Sequence, residues 1–347
     1  MRVTNLWAQD DCETIWAAAN DGALRVWSGA EGRALRYLRG HEDSVTVLEG
    51  IGGIGGLYGT TSCLVGTGSV DRTVRVWDCR AKRAQVFLFK GHSDTITALR
   101  WGEGGRSVVS AGKDKAIRIW DTRAGRLRVA LEKHYSAVTA LRAIPEELQC
   151  SALKLGAGAE GASYISGGKD SMANLWTASG DCVGSQVAHR GTVGFFSDIN
   201  CSLNYRGMAG QPVMFSLGSD SMVRLWDLRR FRPVGEISLG HTCNKGVWAG
   251  QSLVTAGANG AVTCWGYGNV MEGTRDGLGP LWRDVGAGAG AGTSLGDVGA
   301  GGAGSGVGWR GRQLSSHAAA ATEIISTPNF VATGAKNGQL LVWSGSD

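Results

Sequence analysis

Proline is scarce in this chain, with five residues in 347. That excludes a collagen-like helix and a proline-rich spacer, both of which need far more of it. No apolar run reaches the ~18 residues of a membrane-spanning helix, so no transmembrane segment is expected. The eight cysteines (Cys12, Cys63, Cys79, Cys150, Cys182, Cys201, Cys243 and Cys264) include no C-x-x-C pair. A zinc ribbon or a thioredoxin-type redox site is therefore not expected. The opening residues, MRVTNLWAQDDCETIW, lack a cationic stretch followed by an apolar core and do not read as a secretory leader. The expectation is reduced thiols in the cytoplasm or the nucleus. A net charge of +5 is too mild to demand a nucleic-acid partner.

Glycine, by contrast, is abundant: 56 residues, about 16% of the chain against a usual ~7%. Tryptophan numbers 13, and apolar residues make up 43%. A chain with that much apolar mass is not disordered as a whole. Length alone suggests two domains at ~150 residues each, but that prior fails for a repeat array, so repeats are sought first.

Seven tryptophans close similar segments. They read DGALRVW (21–27), DRTVRVW (71–77), DKAIRIW (114–120), DSMANLW (170–176), DSMVRLW (220–226), NGAVTCW (259–265) and NGQLLVW (337–343). Each is an Asp or Asn, five residues, then Trp. Successive Trp residues lie 50, 43, 56, 50, 39 and 78 apart, mostly near the ~40–50 spacing of four-stranded propeller blades. Only six histidines exist, and each precedes the next Asp/Asn by 18 to 36 residues, once per repeat from the second to the seventh. Three follow glycine, at Gly40, Gly91 and Gly240. Four residues before each Asp/Asn of those repeats stands a Ser or Thr; the first repeat has Ala17 there.

Over essentially its whole length the chain resembles the WD-repeat β-propeller family. The resemblance implies an all-β fold of seven four-stranded antiparallel blades. It also implies a structural network in each blade, in which His bonds Asp and a Ser/Thr links that His to the Trp. The sets are His41, Thr67, Asp71 and Trp77; His92, Ser110, Asp114 and Trp120; His134, Ser166, Asp170 and Trp176; His189, Ser216, Asp220 and Trp226; His241, Thr255, Asn259 and Trp265; and His317, Thr333, Asn337 and Trp343. The two Asn sets are expected to be weaker, and the first repeat is expected to have no network. Every histidine is then structural. None is left to act as general base, metal ligand or partner of a nucleophile. No cofactor and no enzymatic activity are expected.

The blades are expected at about 1–39, 40–90, 91–132, 133–188, 189–239, 240–315 and 316–347, in one propeller. Insertions fall at roughly 50–62, 146–162 and 198–212. A fourth, 268–312, is glycine-rich and reads as a flexible segment. Two stretches compete for the outer strand of the sixth blade, LWRDV (281–285) and WRGRQL (309–314). The chain ends on the third strand of the last blade. The expectation is a last blade lacking its outer strand, or an excerpt of a longer protein.

In this family partners bind the face carrying the His/Asp pairs. The residues just before each Asp/Asn point there: Asn20, Val70, Lys113, Lys169, Ser219, Ala258 and Lys336. Three lysines and no acid suggest an acidic or phosphorylated protein segment as partner. WDCR (77–80), WDTR (120–123) and WDLR (226–229) resemble the box of propellers that dock on the adaptor of cullin-4 RING ubiquitin ligases. Repeat three satisfies the whole box, so Arg80 and Arg123 are the candidate contacts. LRRF (228–231) resembles the Arg-Arg motif of phosphoinositide-binding propellers but has Phe231 in place of glycine, which argues against lipid. The leading function is a non-catalytic scaffold for a multiprotein complex. The alternatives are a ubiquitin-ligase substrate receptor, an RNA or ribosome-assembly factor, and a terminal module of a trafficking protein.

Overall fold

The segments that close the repeats alternate apolar and polar residues, the pattern of a strand packed unequally on its two faces. In TVRVWD (73–78), Val74 and Val76 are buried and Arg75 between them is half-buried. A computed structural model describes residues 3–8, 14–51, 64–78, 81, 84–145, 162–201, 211–249, 252–267, 282–284, 297–299, 309–326, 330–337 and 339–345. The fold is all-β and seven-bladed, one antiparallel sheet per repeat. The sheets fall in two compact units, 1–185 and 186–347.

In the first unit the sheets pair strictly in chain order. The first is β1 (Val3–Ala8), β2 (Thr14–Ala19), β3 (Ala23–Ser28) and β4 (Ala34–Arg39). The second is β5 (Val45–Ile51), β6 (Leu64–Ser69), β7 (Thr73–Asp78) and β8 (Gln85–Lys90). The third is β9 (Ile96–Gly102), β10 (Ser107–Gly112), β11 (Ile117–Asp121) and β12 (Arg126–Leu131). The fourth is β13 (Val138–Ala143), β14 (Ala162–Gly168), β15 (Met172–Thr177) and β16 (Cys182–Val187).

In the second unit β17 (Val193–Phe196), β18 (Val213–Gly218), β19 (Met222–Asp227) and β20 (Arg232–Ser238) repeat the same order. The sixth sheet begins with β21 (Cys243–Ala249), β22 (Ser252–Gly257) and β23 (Ala261–Tyr267). Its fourth strand is β26 (Trp309–Ser316), paired Tyr267↔Trp309 and Cys264↔Arg312, so WRGRQL takes the outer position. A short fifth strand, β25 (Asp297–Gly299), adds beyond it. The last repeat supplies three strands of its own, β27 (Ala321–Ser326), β28 (Phe330–Ala335) and β29 (Leu340–Gly345). The competing segment LWRDV lends that sheet a three-residue edge, β24 (Trp282–Asp284), paired Arg283↔Ser344. The insertion 268–312, read from composition as flexible, thus contributes strand pairing to two sheets. Most of 50–62, 146–162 and 198–212 lies outside the described residues.

Neighbouring sheets pack through the repeated tryptophan. Trp77 and Val65 of the second sheet close against Trp16, Leu24 and Val26 of the first. Trp120 packs against Val74, Val76 and Phe89, stacked on Phe89 at 5.1 Å. In the second unit Trp265 and Leu253 close on Phe215, Val223 and Leu225. Burying an aromatic of this size contributes on the order of 2–3 kcal/mol. The first strands are also joined directly. Thr46 Oγ1 donates to the Ile96 carbonyl at 2.6 Å, and Thr97 Oγ1 to that of Val138 at 2.5 Å. These bonds tie the second sheet to the third and the third to the fourth.

Candidate functional site

Register explains how the four residues of a repeat converge. The Ser/Thr lies on the second strand, opposite the residue two before the Trp: Thr67↔Arg75, Ser110↔Arg118, Ser166↔Asn174, Ser216↔Arg224. The His stands in the loop entering the first strand, and the Asp in the turn after the second. All four full sets make the same three contacts. In the second blade Trp77 Nε1–H donates to Thr67 Oγ1 at 2.8 Å, Thr67 lies 2.8 Å from His41 Nε2, and His41 Nδ1 lies 2.8 Å from Asp71. The third blade has Trp120–Ser110 at 2.8 Å, Ser110–His92 at 2.7 Å and His92–Asp114 at 2.9 Å. The fourth has 2.8 Å at all three steps, through Trp176, Ser166, His134 and Asp170. The fifth has Trp226–Ser216 at 2.8 Å, Ser216–His189 at 2.7 Å and His189–Asp220 at 2.8 Å.

One protonation pattern satisfies such a chain. The indole N–H donates to the hydroxyl, the hydroxyl to Nε2, and Nδ1–H to an ionised carboxylate. The imidazole is then neutral. Burial supports this by pushing the pKa of His41, His92, His134 and His189 down, against the opposing pull of the carboxylates. Burial works the other way on the acids, raising them, but is outweighed. Hydrogen bonds from His41 and Thr73 hold Asp71 far below the carboxylate range. The Arg190 amide, Arg224 and His189 bring Asp220 down to about 2. Asp114 is lowered as well, by His92, the Ser93 amide and Arg118.

The arginines are members that the repeat reading did not include. Arg118 Nη1 donates to Asp114 at 2.8 Å, and Arg224 Nη1 to Asp220 at 2.9 Å. Their signal is visible in the sequence, as an Arg four residues after the Asp in DGALR, DRTVR, DKAIR and DSMVR. The turn itself is also uniform. The residue after the Asp/Asn has positive φ in Gly22, Arg72, Lys115, Ser171, Ser221 and Gly260.

The two Asn repeats are built differently. Trp265 still donates to Thr255 at 3.0 Å, but His241 Nε2 is buried with no partner, and Asn259 Oδ1 accepts from the Ala261 amide. In the last blade His317 Nε2 keeps Thr333 at 2.7 Å, its Nδ1 is buried without a partner, and Asn337 accepts from the Gln339 amide. The Trp343 side chain lies outside the described residues. In the first repeat Ala17 is buried, and Trp27, with no hydroxyl to meet, is 37% exposed.

Lys113, Lys169 and Lys336 are all exposed at the turns between second and third strands. The Lys113 amide is fixed to the Thr95 carbonyl and the Lys169 amide to that of Ala137, each at 2.9 Å. Arg123 is exposed too, on a turn in which Asp121 Oδ1 accepts the Arg123 amide at 2.7 Å and the Ala124 amide at 2.8 Å. Arg80 lies outside the described residues. Phe231 is buried and stacked on Trp226 at 5.6 Å, so LRRF turns its aromatic into the protein. Among the described residues no three His, Cys, Asp or Glu converge as metal ligands. No described helix is long and apolar enough to cross a membrane.

No curated relative matches the chain. The family model for the WD domain, G-beta repeat, matches residues 32–78 and 83–121. Each match opens before an outer strand, β4 or β8, and runs through the first three strands of the next sheet. With that match on two repeats, and one antiparallel blade for each of seven Asp/Asn-to-Trp segments, the chain is similar to the WD-repeat propellers.

Proposed function

We propose that the chain is a non-catalytic scaffold that holds an anionic segment of a partner protein on its His/Asp face. Propellers of this family generally mediate protein–protein interaction. The observation that carries the finer reading is the pair Lys113 and Lys169. Both are exposed, at matching turns of the third and fourth blades, with their backbones pinned by cross-loop hydrogen bonds. Two ammonium groups on rigid turns suit carboxylate or phosphate oxygens without a large ordering cost. Lys336 holds the same position in the last repeat. The non-catalytic part is supported by the four complete networks, whose His and Asp groups are committed to internal bonds. The test is binding of a short Glu/Ser peptide, and of its phosphoserine form, to the protein and to Lys113→Glu/Lys169→Glu. Charge reversal should abolish binding at low salt. Unchanged affinity would overturn the proposal.

A second reading is favoured by one observation, the capped turn that presents Arg123. It suits docking to the cullin-4 ligase adaptor. Arg123→Ala should then lose co-purification of that adaptor, and an adaptor that never co-purifies with the unmodified protein removes this reading.

A further inference from the structure

We propose that Tyr135 is an apolar anchor on the fourth blade, and that the segment it receives is an acidic peptide carrying a large apolar residue. The inference rests on the acidic-partner reading of Lys113 and Lys169 and adds to it the second half of the recognised chemistry.

Tyr135 is 82% exposed, more than any other large hydrophobic side chain described. Exposure of a single apolar residue is ordinary by itself. What separates Tyr135 is how it is held. Its amide donates to Asp170 Oδ2 at 2.9 Å, the carboxylate oxygen that also bonds His134 Nδ1. The residue is therefore fixed by a network whose other members are buried. Two residues on, the Ala137 carbonyl accepts the amide of Lys169. The phenol ring and the Lys169 ammonium thus rise from one end of one sheet, from backbones joined through Asp170.

The other complete networks make the same amide contact without the ring. Glu42, Ser93 and Arg190 each donate their amide to the Asp of their own blade, at 3.1, 3.0 and 3.0 Å. The charges around the loops differ as well. Glu42 and Asp43 stand on the second blade beside Arg72, and Asp94 on the third beside Lys113 and Lys115. Around Tyr135 are Lys133 and Lys169, with Glu132 the neighbouring exposed acid. The fourth blade alone among these pairs a rigid exposed ring with cations. Tyrosine offers a wide contact area with only two torsions to fix, which is why it recurs as an interface anchor. A purely acidic ligand would leave the ring in water, whereas one with an adjacent apolar side chain covers it while its carboxylates meet the lysines.

The test compares a short Glu/Ser peptide bearing one central Phe with the same peptide bearing Ser there, by calorimetric titration. On the unmodified protein the Phe peptide should bind roughly tenfold tighter. Tyr135→Ser should erase that advantage and leave the Ser peptide unchanged; Tyr135→Phe should retain it. Lys169→Glu should weaken both peptides. An equal unfolding midpoint for each variant secures the comparison. If Tyr135→Ser keeps the tenfold preference, the anchor is overturned while a Lys169→Glu loss still upholds the acidic reading. If neither peptide binds the unmodified protein, both proposals are overturned.

Discussion

The Ser110 hydroxyl accepts the indole N–H of Trp120 at 2.8 Å and meets His92 Nε2 on its other side at 2.7 Å. All three groups are buried. Removing this oxygen strands two polar groups, and each orphan costs on the order of 1–3 kcal/mol. Ser110→Ala is therefore expected to lose about 3 kcal/mol, read as a lower urea midpoint. Thr255→Ala, where the hydroxyl accepts from Trp265 and donates to the Thr263 carbonyl but no histidine is bonded to it, should lose about half as much. Equal losses at the two positions would contradict the difference between these networks.

Acid should weaken the fold in two stages. The four His of complete networks have folded pKa values below the ordinary 6.5. The unfolded chain therefore binds more protons, and stability falls as pH drops through the unfolded value. A lowered Asp contributes stability that is present above 3.8 and lost as pH falls through its folded value, about 2 for Asp220. Urea midpoints should decline from pH 7 to 5 and again below pH 4. Asp220→Asn should remove part of the second decline only. A midpoint that rises between pH 7 and 5 would contradict the neutral imidazoles.

Much of this was legible in the sequence, because a network residue sits at a short fixed offset from its Asp/Asn. Thr67 is four before Asp71 and Trp77 six after it, so one pattern places three members. The arginines at offset four were equally regular. Edge strands were not legible. LWRDV and WRGRQL have similar chemistry, and their assignment to different sheets depends on pairing with β29 and β23, contacts distant in the chain. Nor does composition separate a glycine-rich loop from one that contributes three residues to a sheet edge, since backbone pairing needs no particular side chain.

The turn after each Asp/Asn invites a paired substitution. Ser171 and Ser221 have φ of 69° and 60°, a region that costs an L-residue about 1 kcal/mol and glycine almost nothing. Glycine also gains freedom in the unfolded chain, so Ser171→Gly should stabilise by only about 0.5 kcal/mol. Gly22→Ala should do the reverse. Its φ is 74°, and an added Cβ would stand 2.5 Å from the His41 carbonyl oxygen. A loss of about 2 kcal/mol is expected there. Thermal midpoints decide both, and a tolerated Gly22→Ala would contradict the close approach.

The sixth blade offers the converse experiment. Asn259 Oδ1 and His241 Nε2 both crowd Gly257, each within 2.6 Å of where a Cβ would stand, yet the ring nitrogen is buried without a partner. In the third, fourth and fifth blades the same place holds an Asp oxygen bonded to His Nδ1. Asn259→Asp would give the ring a charged acceptor, worth about 1 kcal/mol. A carboxylate also raises the His241 pKa relative to the Asn protein. Relative to the Asn protein, that gain grows as pH falls through the two folded values. Asn259→Asp should therefore lift the urea midpoint more at pH 6 than at pH 8, and the His241 proton resonance should titrate at higher pH. Lower stability at both pH values would show that desolvating the new charge outweighs the bond it makes.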